Sequence, residues 1–151
     1  MKVVLAGGSG FLGRALTRAL ADRGHDVVIL SRQPGPPSSR VRYVVWRPDT
    51  TKSITQPLQV WPREVDGADA IVNLAGAGIA DKRWTTARKA LLKTSRISAT
   101  RQLIEAVRAA TRRPSVFVSA SGVGYYGIAD DAVLDESSPA GSDFLASVCR
   151  D

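Results

Sequence analysis

The sequence predicts an α/β protein: an open, doubly wound parallel sheet with helices on both faces. Three observations carry that expectation. Val3-Val4-Leu5 and Asp26–Leu30 are short, nearly unbroken apolar runs of the kind a parallel sheet buries on both sides. Between such runs lie stretches whose apolar residues recur at helical spacing, and strands alternating with helices assemble into parallel sheets. The first run also leads straight into a glycine-rich turn, Ala6-Gly7-Gly8-Ser9-Gly10-Phe11-Leu12-Gly13, ahead of the first helix.

The elements follow in order. Phe11, Leu12, Ala15, Leu16, Ala19 and Leu20 recur at helical spacing, and Gly24 ends that helix. Asp26–Leu30 is the second strand. Gln33-Pro34-Gly35-Pro36-Pro37-Ser38-Ser39 is a loop by composition, and Val41–Trp46 reads as a third strand. Pro48 to Pro62 shows no clear period and reads as irregular. Ala68–Leu74 is a fourth strand and Ser115–Ser119 a fifth. Between them Thr86 to about Ala110 is the longest helical pattern, with Leu91, Leu92, Ile97, Leu103, Ile104 and Val107 as its apolar stripe. Ser142-Asp143 resembles a helix start, followed by Phe144, Leu145 and Val148 before the sequence stops at Asp151. A helix of about two turns is marginal unless packed, so the chain looks cut within an element. No internal repeat is evident.

Composition narrows the class. At 151 residues, with 44% hydrophobic and 23% charged, the chain is one globular domain's worth. It has no apolar run of membrane-spanning length and no signal-peptide cleavage pattern, so a cytoplasmic location is expected. Cys149 is the only cysteine, which excludes an internal disulfide and fits a reducing compartment. His25 is the only histidine; together these counts argue against a His/Cys zinc site or a Ser-His-Asp triad, and no metal is expected. The net charge of +7 is spread over Arg14–Arg47, Lys82–Arg101 and Arg108–Arg113 rather than gathered in an aromatic-studded block. That pattern suits an anionic cofactor better than nucleic acid.

The chemistry-bearing residues gather at strand carboxyl ends: Gly7–Gly13, Ser31-Arg32, Asn73–Gly76 and Ser119–Ser121. Ligands of open parallel sheets bind there, at the switch in strand order. A dinucleotide's pyrophosphate needs a tight turn, a bare backbone and a helix N-terminus facing it. Gly7 supplies the turn, Gly10 the close approach and Gly13 the helix–strand packing, with Phe11 and Leu12 bringing amides to the helix mouth. This is the pattern of a Rossmann-type nucleotide site. NAD-specific proteins usually present a carboxylate at the end of the second strand. Here Ser31-Arg32 stands there, 18 and 19 residues after Gly13. A carboxylate would repel a 2′-phosphate, whereas a hydroxyl and a guanidinium can hydrogen-bond it, so the expected cofactor is NADP (NADPH). Asn73–Gly76 ends a buried strand with small residues that admit a flat ligand.

The Gly loop, Ser31-Arg32, Gly67–Gly76, Arg83-Trp84, Ser95-Arg96 and Ser119-Ala120-Ser121-Gly122-Val123-Gly124-Tyr125-Tyr126-Gly127 together resemble the extended short-chain dehydrogenase/reductases. More narrowly they resemble the NAD(P)-dependent epimerase/dehydratase-like branch, some of whose members carry the name cell division inhibitor. The resemblance runs from Met1 to Asp151. It implies that Leu74, Ala75 and Gly76 line the adenosine and ribose side, that Arg96 reaches the cofactor from the long helix, and that Ser119–Ser121 lies beside the nicotinamide. It makes Ser121 the equivalent of the family's catalytic serine, with Ser119 or Gly122 in that place if the gap falls differently. Tyr125 and Tyr126 would line the pocket. Family members are about twice this length, which makes residues 1–151 the NAD(P)-binding domain, with the last strands and a C-terminal substrate-binding part outside it. If these 151 residues are all that is made, the chain is expected to bind cofactor weakly or not at all, and to dimerise or to expose apolar surface where the missing half should pack.

One departure bears on mechanism. The superfamily's acid/base is a tyrosine with a lysine four residues on, whose charge lowers the phenol pKa. Where that pair should lie the sequence reads Asp143-Phe144-Leu145-Ala146-Ser147-Val148-Cys149-Arg150. The resemblance therefore implies an NADP-binding epimerase-like protein or oxidoreductase, acting on a small molecule, in which Tyr125, Tyr126 or a group beyond the chain replaces the pair. The alternative is a non-catalytic NADP(H)-binding regulatory or sensor module.

Overall fold

The computed structural model describes residues 1–36, 38–48 and 60–151, and it divides into two compact units, Met1–Ser119 and Ala120–Asp151. In the first unit the strands are β1 (Lys2–Ala6), β2 (Asp26–Ser31), β3 (Val41–Val45), β4 (Ala70–Asn73) and β5 (Val116–Ser119). They form one parallel sheet in the order β3-β2-β1-β4-β5. The order reverses at β1, so the crevice beside its carboxyl end is the switch point at which such sheets bind ligands.

Burial on both faces explains the apolar runs. Val4, Leu5 and Ala6 are wholly buried in the central strand. On one face Val4, Ala6, Val28, Leu30 and Ile71 pack with Ala99, Leu103 and Ala106 of α3 (Thr86–Ala109). On the other, Leu5, Val27 and Ile29 meet Leu16 and Leu20 of α1 (Phe11–Asp22). The sheet is doubly wound, as the sequence predicts. Each fully buried Val, Leu or Ile contributes roughly 1.5–3 kcal/mol, and this stack accounts for the definition of the strands.

Strand and helix bounds shift by one or two residues from the expected ones. Two features differ in kind. A short helix, α2 (Pro62–Val65), follows Trp61, whose buried ring packs at 5.5 Å and 50° against Trp46. Most of the stretch expected to be irregular, 49–59, lies outside the described residues. The buried face of α3 keeps part of its expected apolar stripe: Leu92 and Leu103 are buried and Val107 packs against the core, but Ser98, Ala99, Gln102 and Ala106 also face inward, while Leu91 is exposed. Small side chains let helix and sheet approach closely, and Gln102 is drawn in by the Trp46 indole, whose Nε1 donates to its Oε1 at 3.0 Å. β5 is an edge strand; Phe117 packs inward, but Val116 and Val118 are each 49% exposed.

The amino ends of the strands are tied by charge. Glu64 pairs with Arg42 (2.9 Å to Nη2) and with Lys2 (3.5 Å), Arg40 with Asp26 (3.4 Å) and Arg112 with Asp69 (3.9 Å). The Lys2 amide donates to the Asp69 carboxylate at 2.7 Å.

The second unit holds a 3₁₀ turn (Val123–Tyr125) and α4 (Phe144–Arg150). Asp143 caps α4, its carboxylate accepting from the Ala146 amide at 2.9 Å. The Gly141 amide donates to the Tyr125 carbonyl at 2.9 Å and Arg150 Nη1 to the Gly141 carbonyl at 2.7 Å. The helix expected from Ser142-Asp143 onward is thus present, with Ala146 and Val148 buried.

Candidate functional site

A pocket of about 720 Å³ opens at the carboxyl ends of the strands in the first unit, within the range of cofactor sites, about 300–1,000 Å³. Four segments and one helix wall it. After β1 come Gly7, Ser9 and Gly10; from β2, Leu30, Ser31 and Arg32; after β3, Trp46, Arg47 and Pro48; after β4, Leu74 to Gly78. The wall from α3 presents Arg88, Leu91, Thr94, Ser95 and Ser98, with Asp81 at the loop before it.

The glycine turn is built for close approach. Gly7 has φ +82°, a conformation that L side chains rarely adopt, and a Cβ there would stand 2.8 Å from the Leu74 carbonyl group. Its amide donates to the Leu30 carbonyl at 3.2 Å, while the Leu74 amide donates to Ala6 at 2.9 Å, so the turn is held between the ends of β2 and β4. Gly13 seats α1 on this turn; a Cβ there would lie 2.6 Å from Gly8 Cα. Gly10 differs, because a Cβ would meet only the Gly7 oxygen, at 3.3 Å. Its missing side chain therefore opens the pocket rather than relieving the fold.

The mouth of α1 is left open. No side chain caps it and its first turn holds no acidic residue, whereas Thr85 caps α3 and Asp143 caps α4. The first amides of a helix have no intrahelical acceptor and sit at the positive end of its dipole. Phe11 and Leu12 supply such amides and leave their side chains in solvent, Phe11 85% exposed. Such a helix mouth suits an anion.

At the end of β2 the Ser31 side chain is buried and its hydroxyl donates to the Gln33 carbonyl. Arg32 is exposed at the rim. The Trp46 amide donates to the Ser31 carbonyl at 2.7 Å, which brings Arg47 to the same rim. Sequence reasoning missed Arg47, which fell between a strand ended at Trp46 and a stretch read as irregular from Pro48. Among the described residues neither Arg32 nor Arg47 makes an ion pair or a hydrogen bond.

Beyond β4 the backbone is strapped down by side chains. Asn73, 4% exposed, donates through Nδ2 to Thr100 Oγ1 (2.9 Å) and Ser119 Oγ (3.4 Å), and its Oδ1 accepts from the Ala75 amide (3.2 Å). The Ala77 amide donates to Ser95 Oγ at 3.0 Å. Arg96 Nη1 donates to the carbonyls of Ala77 and Leu92, both at 3.0 Å, and its guanidinium lies so close to Gly76 that a Cβ there would stand 2.9 Å from Cζ. Arg96 thus supports the Gly76-Ala77 backbone from below. Arg88 Nη2 donates to the Gly78 carbonyl and approaches Asp81 at 3.4 Å, and Trp84 Nε1 donates to the Ile79 carbonyl at 2.7 Å. These bonds give the wall a set shape.

Of the residues expected at a cofactor site, Gly7, Gly10, Ser31, Arg32, Leu74, Ala75 and Gly76 line this pocket. Phe11 and Leu12 stand at the helix mouth, Gly13 lies beneath the turn and Arg96 beneath the Gly76 loop. Ser119 is exposed at the end of β5 and linked to Asn73. Ser121 and Tyr125 belong to the second unit: Ser121 is exposed, and Tyr125 is half-buried with its ring edge-on to Tyr126 at 5.1 Å. Among the described residues no cluster of three His, Cys, Asp or Glu could hold a metal ion, and no helix is long and apolar enough to cross a membrane.

A parallel sheet with its switch point at β1, a left-handed glycine at the strand end and an uncapped helix beyond it define a Rossmann-type NAD(P)-binding fold. The chain belongs to the NAD dependent epimerase/dehydratase family, whose model matches residues 3–146. It is 37% identical over 153 residues to the chloroplastic epimerase family protein SDR39U1 homolog of Arabidopsis thaliana, covering 100% of this chain and 43% of that protein. An epimerase family protein of Mycobacterium tuberculosis is 38% identical over 149 residues, 99% of this chain and 46% of its own length. The structure of human epimerase family protein SDR39U1 (isoform 2) with NADPH superposes with a TM-score of 0.76 at 32% identity, covering 98% of this chain and 46% of that one. A nucleoside-diphosphate sugar epimerase of Corynebacterium glutamicum gives 0.73 at 36% identity, covering 99% and 29%. The chain spans under half the length of these relatives.

Proposed function

We propose that this chain is the NADP-binding part of an epimerase-like oxidoreductase acting on a small molecule. The observation that carries the reading is the open mouth of α1, which faces a pocket rimmed by Gly7, Gly10 and Arg32. The pyrophosphate would lie on the amides at that mouth, and Leu74, Ala75 and Gly76 would border the adenosine and ribose. Arg96 acts on this site as a positioning residue, through the Gly76-Ala77 backbone it holds. The human relative with NADPH supports the same cofactor. Bound NADP supplies hydride transfer. Ser121 would donate a hydrogen bond to a substrate oxygen, with Ser119 beside the nicotinamide, and Tyr125 would serve as proton donor. The exposed Val116 and Val118 offer a face to the substrate-binding part expected of a protein of the relatives' length, or to a second copy in a homodimer. A single cysteine suits a cytoplasmic, reducing setting, and the site favours a small anionic cofactor over nucleic acid.

The expected result is a rise in NADPH fluorescence on titration with protein, and turnover of a carbonyl compound or a nucleotide sugar by a version of the relatives' full length. An absence of NADPH binding in that version overturns the reading. A second reading, an NADP(H)-binding regulatory or sensor module, is favoured by the sequence Asp143–Arg150, which contains neither tyrosine nor lysine. Tight NADPH binding without turnover or isomerisation across a broad substrate panel decides for it.

A further inference from the structure

We propose that Arg47, together with Arg32, clamps a phosphate monoester on the adenosine ribose, and that this pair, not Ser31, makes the site prefer the phosphorylated dinucleotide. The inference rests on the dinucleotide reading above and adds to it a recognition residue from a third strand.

The chemistry begins with what Ser31 can offer. A hydroxyl carries one proton, and that of Ser31 is donated to the Gln33 carbonyl. What remains on the oxygen are lone pairs, which accept hydrogen bonds. Phosphate oxygens are acceptors too, so Ser31 cannot bind one without surrendering its present bond. The donors at this rim are guanidinium groups.

Arg32 follows Ser31 directly. Arg47 arrives from the neighbouring strand on a backbone that is well anchored. The residue before it, Trp46, is buried; its amide bonds the Ser31 carbonyl at 2.7 Å and its indole bonds Gln102 at 3.0 Å. β2 and β3 run in register through Ser31 opposite Val45. Arg32 and Arg47 therefore leave adjacent strand ends within one hydrogen-bonded step of each other, and both line the pocket that Gly10 opens.

Charge balance points to the same ligand. Among the described residues that line the pocket Asp81 is the one acidic residue, and Arg88 already lies against it at 3.4 Å. Arg32 and Arg47 have no carboxylate partner among the described residues. A phosphate monoester carries about −1.5 to −2 charges at neutral pH and three acceptor oxygens. Two guanidiniums match that charge, and their planar forks match its oxygens. A ribose bearing only hydroxyls would leave both cations uncompensated.

The test uses a version of the relatives' full length and four probes: NADP, NAD, 2′,5′-ADP and 5′-ADP, titrated calorimetrically. The wild type is expected to bind NADP and 2′,5′-ADP more tightly than NAD and 5′-ADP. Arg47→Gln and Arg32→Gln should each weaken the two phosphorylated ligands about tenfold, the loss of one charge-assisted partner. Both variants should leave 5′-ADP, which lacks the 2′-phosphate, within about twofold, and the double variant should erase the preference. Arg47→Lys should recover only part of it, because an ammonium lacks the fork. Ser31→Ala should keep the preference intact. Unchanged NADP-to-NAD selectivity in Arg47→Gln, or an equal loss of all four ligands, overturns the clamp while the dinucleotide reading stands. A wild type that binds none of the four probes overturns both. Thermal melts of each variant check that the exposed arginine substitutions and the buried Ser31→Ala leave the fold in place.

Discussion

At the amino ends of the strands, Lys2 and Arg42 share Glu64, Arg40 meets Asp26 and Arg112 meets Asp69. At the carboxyl ends, Arg32 and Arg47 face a pocket with no carboxylate partner among the described residues. The amino end also ties backbone to carboxylate, with the amides of Lys2 and Arg112 donating to Asp69 and Asp66. The carboxyl end leaves helix amides at the mouth of α1 without a cap. One end of the sheet neutralises its charges internally, and the other holds its donors in reserve. In a basic chain of net charge +7, Arg32 and Arg47 stand at the end where open parallel sheets bind ligands.

Substitutions in the glycine turn should produce the largest effects and separate fold from ligand. Gly13→Ala drives a methyl against Gly8 Cα and the Gly7 carbonyl; overpacking of this kind costs about 1–3 kcal/mol. Both the melting temperature and NADPH binding should fall. Gly10→Ala meets only one oxygen, at 3.3 Å, and loses little as a helix cap, a few tenths of a kcal/mol to about 1. It should melt close to the wild type and still lose most NADPH affinity. Equal losses of stability and binding in both variants would mean that Gly10, like Gly13, serves the fold alone.

An intermediate effect is expected at the link between the carboxyl end and the core. Gln102→Leu removes the acceptor of the buried Trp46 indole, and an unsatisfied buried donor costs about 1–3 kcal/mol. Because Trp46 anchors Arg47, the variant should also reduce selectivity for NADP over NAD, more than a cavity of similar cost placed at Leu103. Chemical denaturation read by tryptophan fluorescence gives the first quantity and titration with both cofactors the second.

These residues also mark how far the sequence could be read. β1, β2 and β4 were legible because burial on two faces writes itself as unbroken apolar runs, and the glycine turn because its spacing is a local demand of strand, turn and helix. Ser31, Arg32 and Leu74–Gly76 could be assigned to one pocket because strand ends in a parallel sheet converge. Arg47 could not, since its place depends on an amide of Trp46 meeting Ser31 across two strands. The inward face of α3 was legible only in part for a similar reason: Leu92 and Leu103 followed the period, but Gln102 is buried by a tryptophan 56 residues away, and no periodicity records that. α2 is four residues long and takes its position from the Trp46–Trp61 contact rather than from any pattern of its own. Arg96 was legible only by resemblance, and its support of the Gly76-Ala77 backbone required the fold.

The smallest effect is expected at the amino end. Arg42's guanidinium, first by hydrogen bonding and then by charge, holds the Glu64 carboxyl below its usual range, with Lys2 adding to the pull against the cost of partial burial. A carboxyl with a depressed folded-state pKa stabilises the fold fully above its unfolded value, about 4.3 for Glu, and loses that contribution as pH falls through the folded value. Arg42 is 56% exposed, so solvent screening holds the pair to at most about 1 kcal/mol. Glu64→Gln should therefore lower stability slightly at pH 7, converge with the wild type as the medium is acidified below the ordinary carboxylate range, and leave NADPH affinity unaltered. Melting curves at a series of pH values, paired with cofactor titrations at pH 7, measure both. A loss of cofactor affinity in Glu64→Gln would show that the two ends of the sheet are coupled, and that the amino-end charges do more than hold strands together.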